Sequence, residues 1–362
     1  MTWPLWSVPN PVATADPDIR CLMDPFDRLC GKATGPVGVA VSGGSDSLAL
    51  LVLAHEWAQQ SGRSLVAFTV DHQLRPEAAD EARVVAQICA GLDIPHQILV
   101  WHDPKGKQAL ARRARHALMA DALRAAGGTH LWLGHTADDQ AETFLMRARQ
   151  GSTWYGLAGM QPIAPSPVWP EGQGIMIARP VLDRSRADLR RELDRCGIDW
   201  MEDPSNRNPA YERVRVRALL QGQTGLKGRI LACQARLQQL RRLEERLIAR
   251  WMQTQVWAET DGAFRLDLSG LPDERLIRAL GLMLQIVGGR ETPPRKDAVE
   301  PLARRLTGDE AFSGATLGGV MIYRKGGIAS LSPEPGIADS AADPALSERR
   351  FDLIRSLYAG DT

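Results

Sequence analysis

From Val37 to about residue 200, short apolar runs alternate with longer stretches of helical periodicity. The runs are VGVAV (37–41), SLVAFTV (64–70), a stretch near 97–101, THLWLGH (129–135) and IMIARPV (175–181). Between them the spacing predicts helices over LALLVLAHEWAQQ (48–60), about 76–91 and about 107–126. Two more are expected: one opening at ADDQAET (137–143), and one over RADLRRELDRCG ending at Gly197. Strands this short, separated by helices, suit a parallel sheet covered on both faces. The expected fold class is therefore α/β, with a doubly wound, mainly parallel sheet.

The pattern changes near QGQTGLKG (221–228). Beyond it, 229–258 reads as a long Arg-rich helix, 273–287 as an amphipathic helix, and 312–331 as a β-hairpin turning at RKGG. IAPSPVWPEGQG (163–174) reads as a surface loop because proline and glycine interrupt both periodicities. The tail from Pro333 carries six Asp/Glu against three Arg and reads as frayed, apart from a short helix near 346–358. Four segments follow: a lead-in with one short helix (1–36), a strand–helix domain (37–220), a mainly helical domain (225–335) and an acidic, disordered tail (336–362). There is no internal repeat.

The 362 residues, 44% hydrophobic and 24% charged, suit a globular protein of about two domains at roughly 150 residues each. A formal net charge of +1 gives no global reason to expect nucleic-acid binding, so any electrostatic argument must be local. The segment 225–250 supplies one, with seven Lys/Arg against two Glu; it is either a surface for RNA phosphates or a solvated helical face. The N-terminus does not read as a signal peptide, and no apolar run is long enough to cross a membrane. Cys21, Cys30, Cys89, Cys196 and Cys233 lie far apart without a CxxC pair, which favours reduced, structural thiols in a cytoplasm.

Chemistry concentrates where strands end. Ser42-Gly43-Gly44-Ser45-Asp46-Ser47 joins the first strand to its helix. The glycines let backbone amides approach an anion, and the hydroxyls and the helix N-terminus add donors and a favourable dipole. A carboxylate in a phosphate cradle is odd unless it holds Mg²⁺ against the phosphates, which is the role expected of Asp46. The loop is neither Walker A nor GxGxxG. The bland alternative is a plain strand-to-helix turn with a capping residue.

SGGSDS resembles the pyrophosphate loop of the N-type ATP pyrophosphatase (PP-loop) family, which implies an adenine nucleotide alpha hydrolase-like fold and cleavage of ATP to AMP and pyrophosphate. Four further segments, in order, resemble the tRNA(Ile)-lysidine synthetases. They are VDHQLRPEAADEA (70–82), QALARRARHALM (108–119), GHTADDQAETFLMR (134–147) with GLAGM (156–160), and WMEDPSN…YERVRVR (200–217).

The resemblance implies a cytoplasmic tRNA-modifying ligase that adenylates O2 of cytidine 34 in the isoleucine tRNA with a CAU anticodon. Lysine then attacks C2 to give lysidine, changing codon recognition from AUG to AUA. ATP, Mg²⁺, L-lysine and that tRNA are the implied partners, and a homodimer is left open. On this reading Ser42 to Ser47, Asp71 and His72 bind ATP, and Arg112 and Arg115 face the α-phosphate. Spacing of three puts those two arginines on one helix face, which is otherwise a solvated basic face. His135 stands near the reacting groups, Asp138, Asp139 and Glu142 receive lysine, and Arg213, Arg215 and Arg217 contact tRNA phosphates, with Asp203 and Asn206 in the same motif. The alternatives are acidic residues in a capped first turn, a strand-end turn at Asp71-His72, and structural ion pairs.

Three departures from the family pattern stand out. Thr136 occupies a position where a histidine often follows the one matching His135, and Val214 interrupts the usual Arg-Asn-Arg. Trp154-Tyr155 also replaces small residues, for base stacking or for packing. Another PP-loop tRNA-modifying enzyme, or a nucleotide- or RNA-binding module without turnover, remains open at this point.

Overall fold

In a computed structural model, residues 17–73, 78–102, 108–202, 208–223, 225–259, 262–335 and 343–360 are described. Two compact units emerge: residues 1–164 with 175–239, and residues 165–174 with 240–362.

The first unit runs α1 (Pro17–Cys30), β1 (Val37–Ala40), α2 (Ser45–Ser61), β2 (Leu65–Asp71), α3 (Ala78–Gly91), β3 (His96–Val100), α4 (Gln108–Ala125) and β4 (His130–Trp132). It continues through α5 (Ala137–Arg149), α6 (Trp154–Leu157), β5 (Ile163–Pro165), β6 (Met176–Ala178), α7 (Arg186–Cys196), α8 (Glu212–Gly222) and the first part of α9 (Leu226–Gln255). Its six strands lie in the order β3-β2-β1-β4-β6-β5, and β1 pairs in parallel with β2 and with β4. The doubly wound α/β expectation holds here.

Alternation along the strands explains the two layers. Val37, Val39, Trp132 and Ala178 pack toward α1, α2, α3 and α7, with Leu50, Leu53, Val85 and Leu193. Val66, Phe68, Leu131 and Ile177 point the opposite way, onto Met119 and Leu123 of α4. The chain builds β1, β2 and β3 outward in one direction and then crosses back to lay β4 on the other side of β1. The order therefore reverses between β1 and β4, and the carboxyl ends of strands at such a point form a crevice.

The lead-in belongs to this unit. Met23, Phe26 and Cys30 of α1 are buried, Phe26 meets Trp132 edge-on at 5.1 Å, and Trp57 Nε1 donates to Asp27 at 2.8 Å.

The second unit comprises the rest of α9, β7 (Val256–Ala258), β8 (Phe264–Asp267), α10 (Asp273–Val287), α11 (Lys296–Thr307), β9 (Ala315–Leu317), β10 (Val320–Lys325), β11 (Ile328–Pro333) and α12 (Pro344–Ala359). It is less helical than the sequence suggests. The expected hairpin, β10–β11, is the centre of a five-stranded antiparallel sheet ordered β7-β8-β11-β10-β9. The chain passes from one unit to the other inside α9, after Gln239, rather than near 221–228. The proline-rich 165–174 stretch is part of this unit, with Val168 and Trp169 buried and the Arg350 guanidinium 4.4 Å from the Trp169 ring centre.

The short helix expected near 346–358 is present in the acidic tail. From Asp343 it forms α12, capped by that aspartate and by Gly360 in the left-handed region; residues 336–342 lie outside the described set. Phe351 and Ile354, three apart and so on one face, enter the core, with Phe351 5.3 Å from Phe264. Apolar spacing, rather than acidic composition, decides the outcome. Phe351→Ala is expected to destabilise the second unit by about 3–5 kcal/mol in urea unfolding. An unchanged midpoint would mean that α12 does not dock.

Among the described residues, no helix is long and apolar enough to cross a membrane. Cys30, Cys89, Cys196 and Cys233 are free thiols.

Candidate active site

The Ser42–Ser47 loop leaves β1 at the reversal point. Gly43 has φ +82°, a conformation that L side chains rarely adopt, and its carbonyl accepts from the Met201 amide at 3.0 Å. Ser47 braces the turn: its Oγ accepts from the Ser42 amide at 3.1 Å and donates to the Gly44 carbonyl at 3.0 Å. The next strand end comes very close. A Cβ on Gly134 would lie 2.8 Å from the Asp46 carbonyl oxygen, so only glycine lets β4 deliver His135 beside the loop.

These elements line one cleft of about 750 Å³, a size suited to a nucleotide-scale ligand. Ser42, Gly44, Ser45, Asp46, Ser47, His72, Arg115, His135, Asp139, Arg213 and Arg217 are among its lining residues. Arg112, Asp71, Asp138 and Glu142 do not line it. Asp71 instead accepts from the Gln73 amide at 2.8 Å, which makes it a strand-end turn residue. Asp203 and Asn206 lie outside the described residues.

The acids beside the cleft are knotted to arginines, and the centre of the knot is Arg186, which the sequence reading passed over. Its Nε donates to Asp46 Oδ2 at 3.0 Å and its Nη1 to Glu142 Oε1 at 2.8 Å. Its Nη2 donates to Asp139, and its backbone amide to Asp138 at 2.9 Å. Arg213 Nε donates to Glu142 Oε2 at 2.6 Å and Arg217 Nε to Glu142 Oε1 at 2.9 Å. Four residues apart on α8, those two arginines share a face and turn it toward α5. Arg215, between them, points elsewhere, to the Pro209 and Ala210 carbonyls at 2.7 and 2.9 Å.

Glu142 therefore accepts from three guanidinium groups while only 1% of its side chain is exposed. Burial pulls its pKa up, but the hydrogen bonds from Arg217, Arg186 and Arg213 outweigh that and hold it at about 2. Asp139 is equally occupied. Beyond its arginines, it closes a capping box with Thr136, accepting from the Thr136 amide at 2.8 Å and hydroxyl at 2.9 Å. Threonine at the position where the family often has histidine thus supplies the helix cap. Neither Asp139 nor Glu142 offers a free carboxylate to an incoming ammonium. Asp138 is also occupied, but not by a guanidinium: the ammonium of Lys227, on α9, sits 2.7 Å from its Oδ1, and the Arg186 amide donates to its Oδ2.

Asp46 is the candidate for a metal. Burial raises its pKa, Arg186 opposes this, and Asp139 reinforces it. Among the described residues no group of three His, Cys, Asp or Glu converges on a common point. A lone carboxylate beside a phosphate loop fits Mg²⁺, which takes one or two protein carboxylates and completes its shell with water and phosphate oxygens. It does not fit a metal that needs a protein cage.

The cleft also has cationic residues in its lining. Burial, then the charges of Arg179, Arg112, Arg213 and Arg115, push the His135 pKa well below its ordinary value, so its ring is neutral. His72 is lowered by burial and by Arg115. Trp154 and Tyr155, both half-buried, stand edge-on to each other at 5.6 Å.

The PP-loop domain matches residues 20–223 of this chain. A tRNA(Ile)-lysidine synthase of Hyphomonas neptunium is 52% identical over 310 residues, covering 86% of this chain and 84% of that protein. The chain belongs to the tRNA(Ile)-lysidine synthase family. Members from Zymomonas mobilis subsp. mobilis (38% identical, covering 80% of this chain and 89% of that one) and Caulobacter vibrioides (36%, 88% and 74%) are also similar. The family read from five motifs is thus the family found by comparison. Membership makes the chain an enzyme with an ATP-using PP-loop domain, and the loop at the reversal point is that domain's signature element.

Proposed function

We propose that this chain converts cytidine 34 of an isoleucine tRNA with a CAU anticodon into lysidine, using ATP, Mg²⁺ and L-lysine. The reading is carried by one observation: the phosphate loop with Asp46 shares a single cleft with Arg115 and His135. Phosphate binding is expected at the loop and charge stabilisation at the α-phosphate from Arg115. The cytidine O2 attacks the α-phosphorus, the bond to the bridging oxygen breaks, and pyrophosphate leaves. The ε-amine of lysine then attacks C2, the C2–O2 bond breaks, and AMP departs with the former O2 while the nitrogen loses a proton.

Ser42 to Ser47 cradle the pyrophosphate, and Arg115, which lines the cleft, meets the charge that grows on the α-phosphate, with Arg112 adding its positive charge from outside the cleft wall. Mg²⁺ held by Asp46 would neutralise phosphate charge. His135, neutral at pH 7, can accept a hydrogen bond from substrate without repelling the arginines. Asp138 receives the lysine substrate; Lys227 already supplies an alkylammonium on that carboxylate. Asp139 and Glu142, occupied by arginine, position Arg186 and Arg213 rather than hold lysine directly. Arg215 and the basic residues of α9 are the candidates for RNA phosphates. The reaction belongs in the cytoplasm, where tRNA, ATP and lysine meet.

Asp138→Ala is expected to remove most lysine-dependent turnover, with KM for lysine raised by about tenfold or more and the folded state retained. Wild-type kinetics in that variant would sink the assignment. The adenylation step is tested by isotope exchange between pyrophosphate and ATP with tRNA present and lysine absent. Exchange supports the proposal, whereas its absence in folded protein favours a binding module without turnover.

A further inference from the structure

The unit holds a second set of charges that the acid–arginine knot does not touch. Arg179 follows β6, His135 follows β4, and Trp132 pairs with Ala178, so both residues emerge at the same end of adjacent strands. Arg112, Arg115 and His116 approach from α4. Arg179 Nη1 donates to the Gln161 carbonyl at 2.8 Å, but its Nε is buried with no partner among the described residues. The Nδ1 atoms of His116 and His135 are likewise buried and unpartnered.

Among the described residues, Arg112, Arg115 and Arg179 form no ion pair, whereas Arg186, Arg213 and Arg217 consume Asp46, Asp139 and Glu142. Burial and the charge of Arg112 lower Arg179 to about 10; burial and the three arginines lower His116 to about 3. Arginines drawn together without a counter-ion, beside polar atoms without partners, cost free energy that an anion would recover.

We infer that Arg179, with His116 and His135, forms an oxyanion subsite that takes a phosphate group during the reaction. Several guanidinium groups around neutral imidazoles suit a tetrahedral, charged oxyanion better than a neutral polar group. Arg115 and His135 also line the cleft that holds the phosphate loop, whereas Arg112, His116 and Arg179 stand outside it. The subsite thus shares His135 with the wall of the nucleotide site, and Arg179 and His116 extend it beyond that wall. Its phosphate comes from one of two sources: the ATP α-phosphate reaching across, or the RNA backbone beside the target base. The inference does not require lysine to be the nucleophile, so its test uses binding rather than lysidine formation.

Arg179→Gln and Arg179→Lys variants of the full chain are titrated with a non-hydrolysable ATP analogue without RNA. They are also titrated with the CAU-anticodon tRNA, without nucleotide, over a salt series. If the phosphate is the nucleotide's, the Gln variant weakens the analogue by about tenfold or more and leaves tRNA affinity unchanged. If it is the RNA's, tRNA affinity falls about tenfold and the slope of log affinity against log salt becomes shallower by about one. In either case Arg179→Lys, which keeps the charge but loses the fork, recovers part of the affinity. The ligand-free Gln variant melts at or above the wild-type midpoint, because a buried charge without a counter-ion has been removed. Retention of both affinities within about twofold overturns the inference and leaves Arg179 a structural partner of Gln161. Should the Gln variant fail to fold, Arg179→Lys and His116→Asn are read against the same affinities, and wild-type values in both overturn it equally.

Discussion

Asp46→Asn is expected to fold normally and to lose turnover by about 10²- to 10³-fold or more. The side chain lies in the first turn of α2, lines the cleft, and shares Arg186 with Asp139 and Glu142. An asparagine oxygen can still accept from Arg186, whose other two carboxylates remain, so the knot survives. What disappears is the negative charge that would hold Mg²⁺ against the phosphates. The thermal midpoint should stay within about 4 °C of wild type, the shift that roughly 1 kcal/mol produces in a unit this size. Wild-type turnover would remove Asp46 from the chemistry, and a large loss of stability would make it a structural ligand of Arg186.

Glu142→Gln has the opposite signature, because that carboxylate neutralises three guanidinium groups in a buried setting. Breaking such a site leaves charge uncompensated, and the first unit should lose about 3–5 kcal/mol. The same pairing makes stability pH-dependent in wild type. The folded pKa of about 2 lies below the ordinary value of 4.5, so the contribution is complete above about pH 4.5 and is lost as pH falls toward 2. Denaturant unfolding at pH 7 and in that acid window tests both statements. A Gln variant as stable as wild type at pH 7, or an acid limb as steep as wild type's, would show that the arginines do not depend on Glu142.

Local features of this site were legible in the sequence. The loop, Asp46 and His135 each sit at a strand end, and that position follows from short-range hydrophobic pattern alone. The capping box of Thr136 and Asp139 is equally local, and a capped first turn with acidic residues is among the alternatives the sequence offers there. Arg186 could not be found that way. Its partners lie 140, 47 and 44 residues away, and in sequence SRAD is an ordinary capped helix start. Arg179 hid at the end of an apolar strand, and Lys227 in a basic helix. The same logic applies to the second unit. Strands of three or four residues, such as β7 and β8, are too short for alternation to register, so the sheet they join escaped notice.

The central claim is a covalent change in one nucleoside, and it is best tested there. Purified protein is incubated with ATP, Mg²⁺, lysine and the CAU-anticodon isoleucine tRNA, and the digested tRNA is read by nucleoside mass spectrometry. Lysidine that appears only when both ATP and lysine are present is the predicted result. Unmodified cytidine from folded protein, with or without pyrophosphate release, would contradict it.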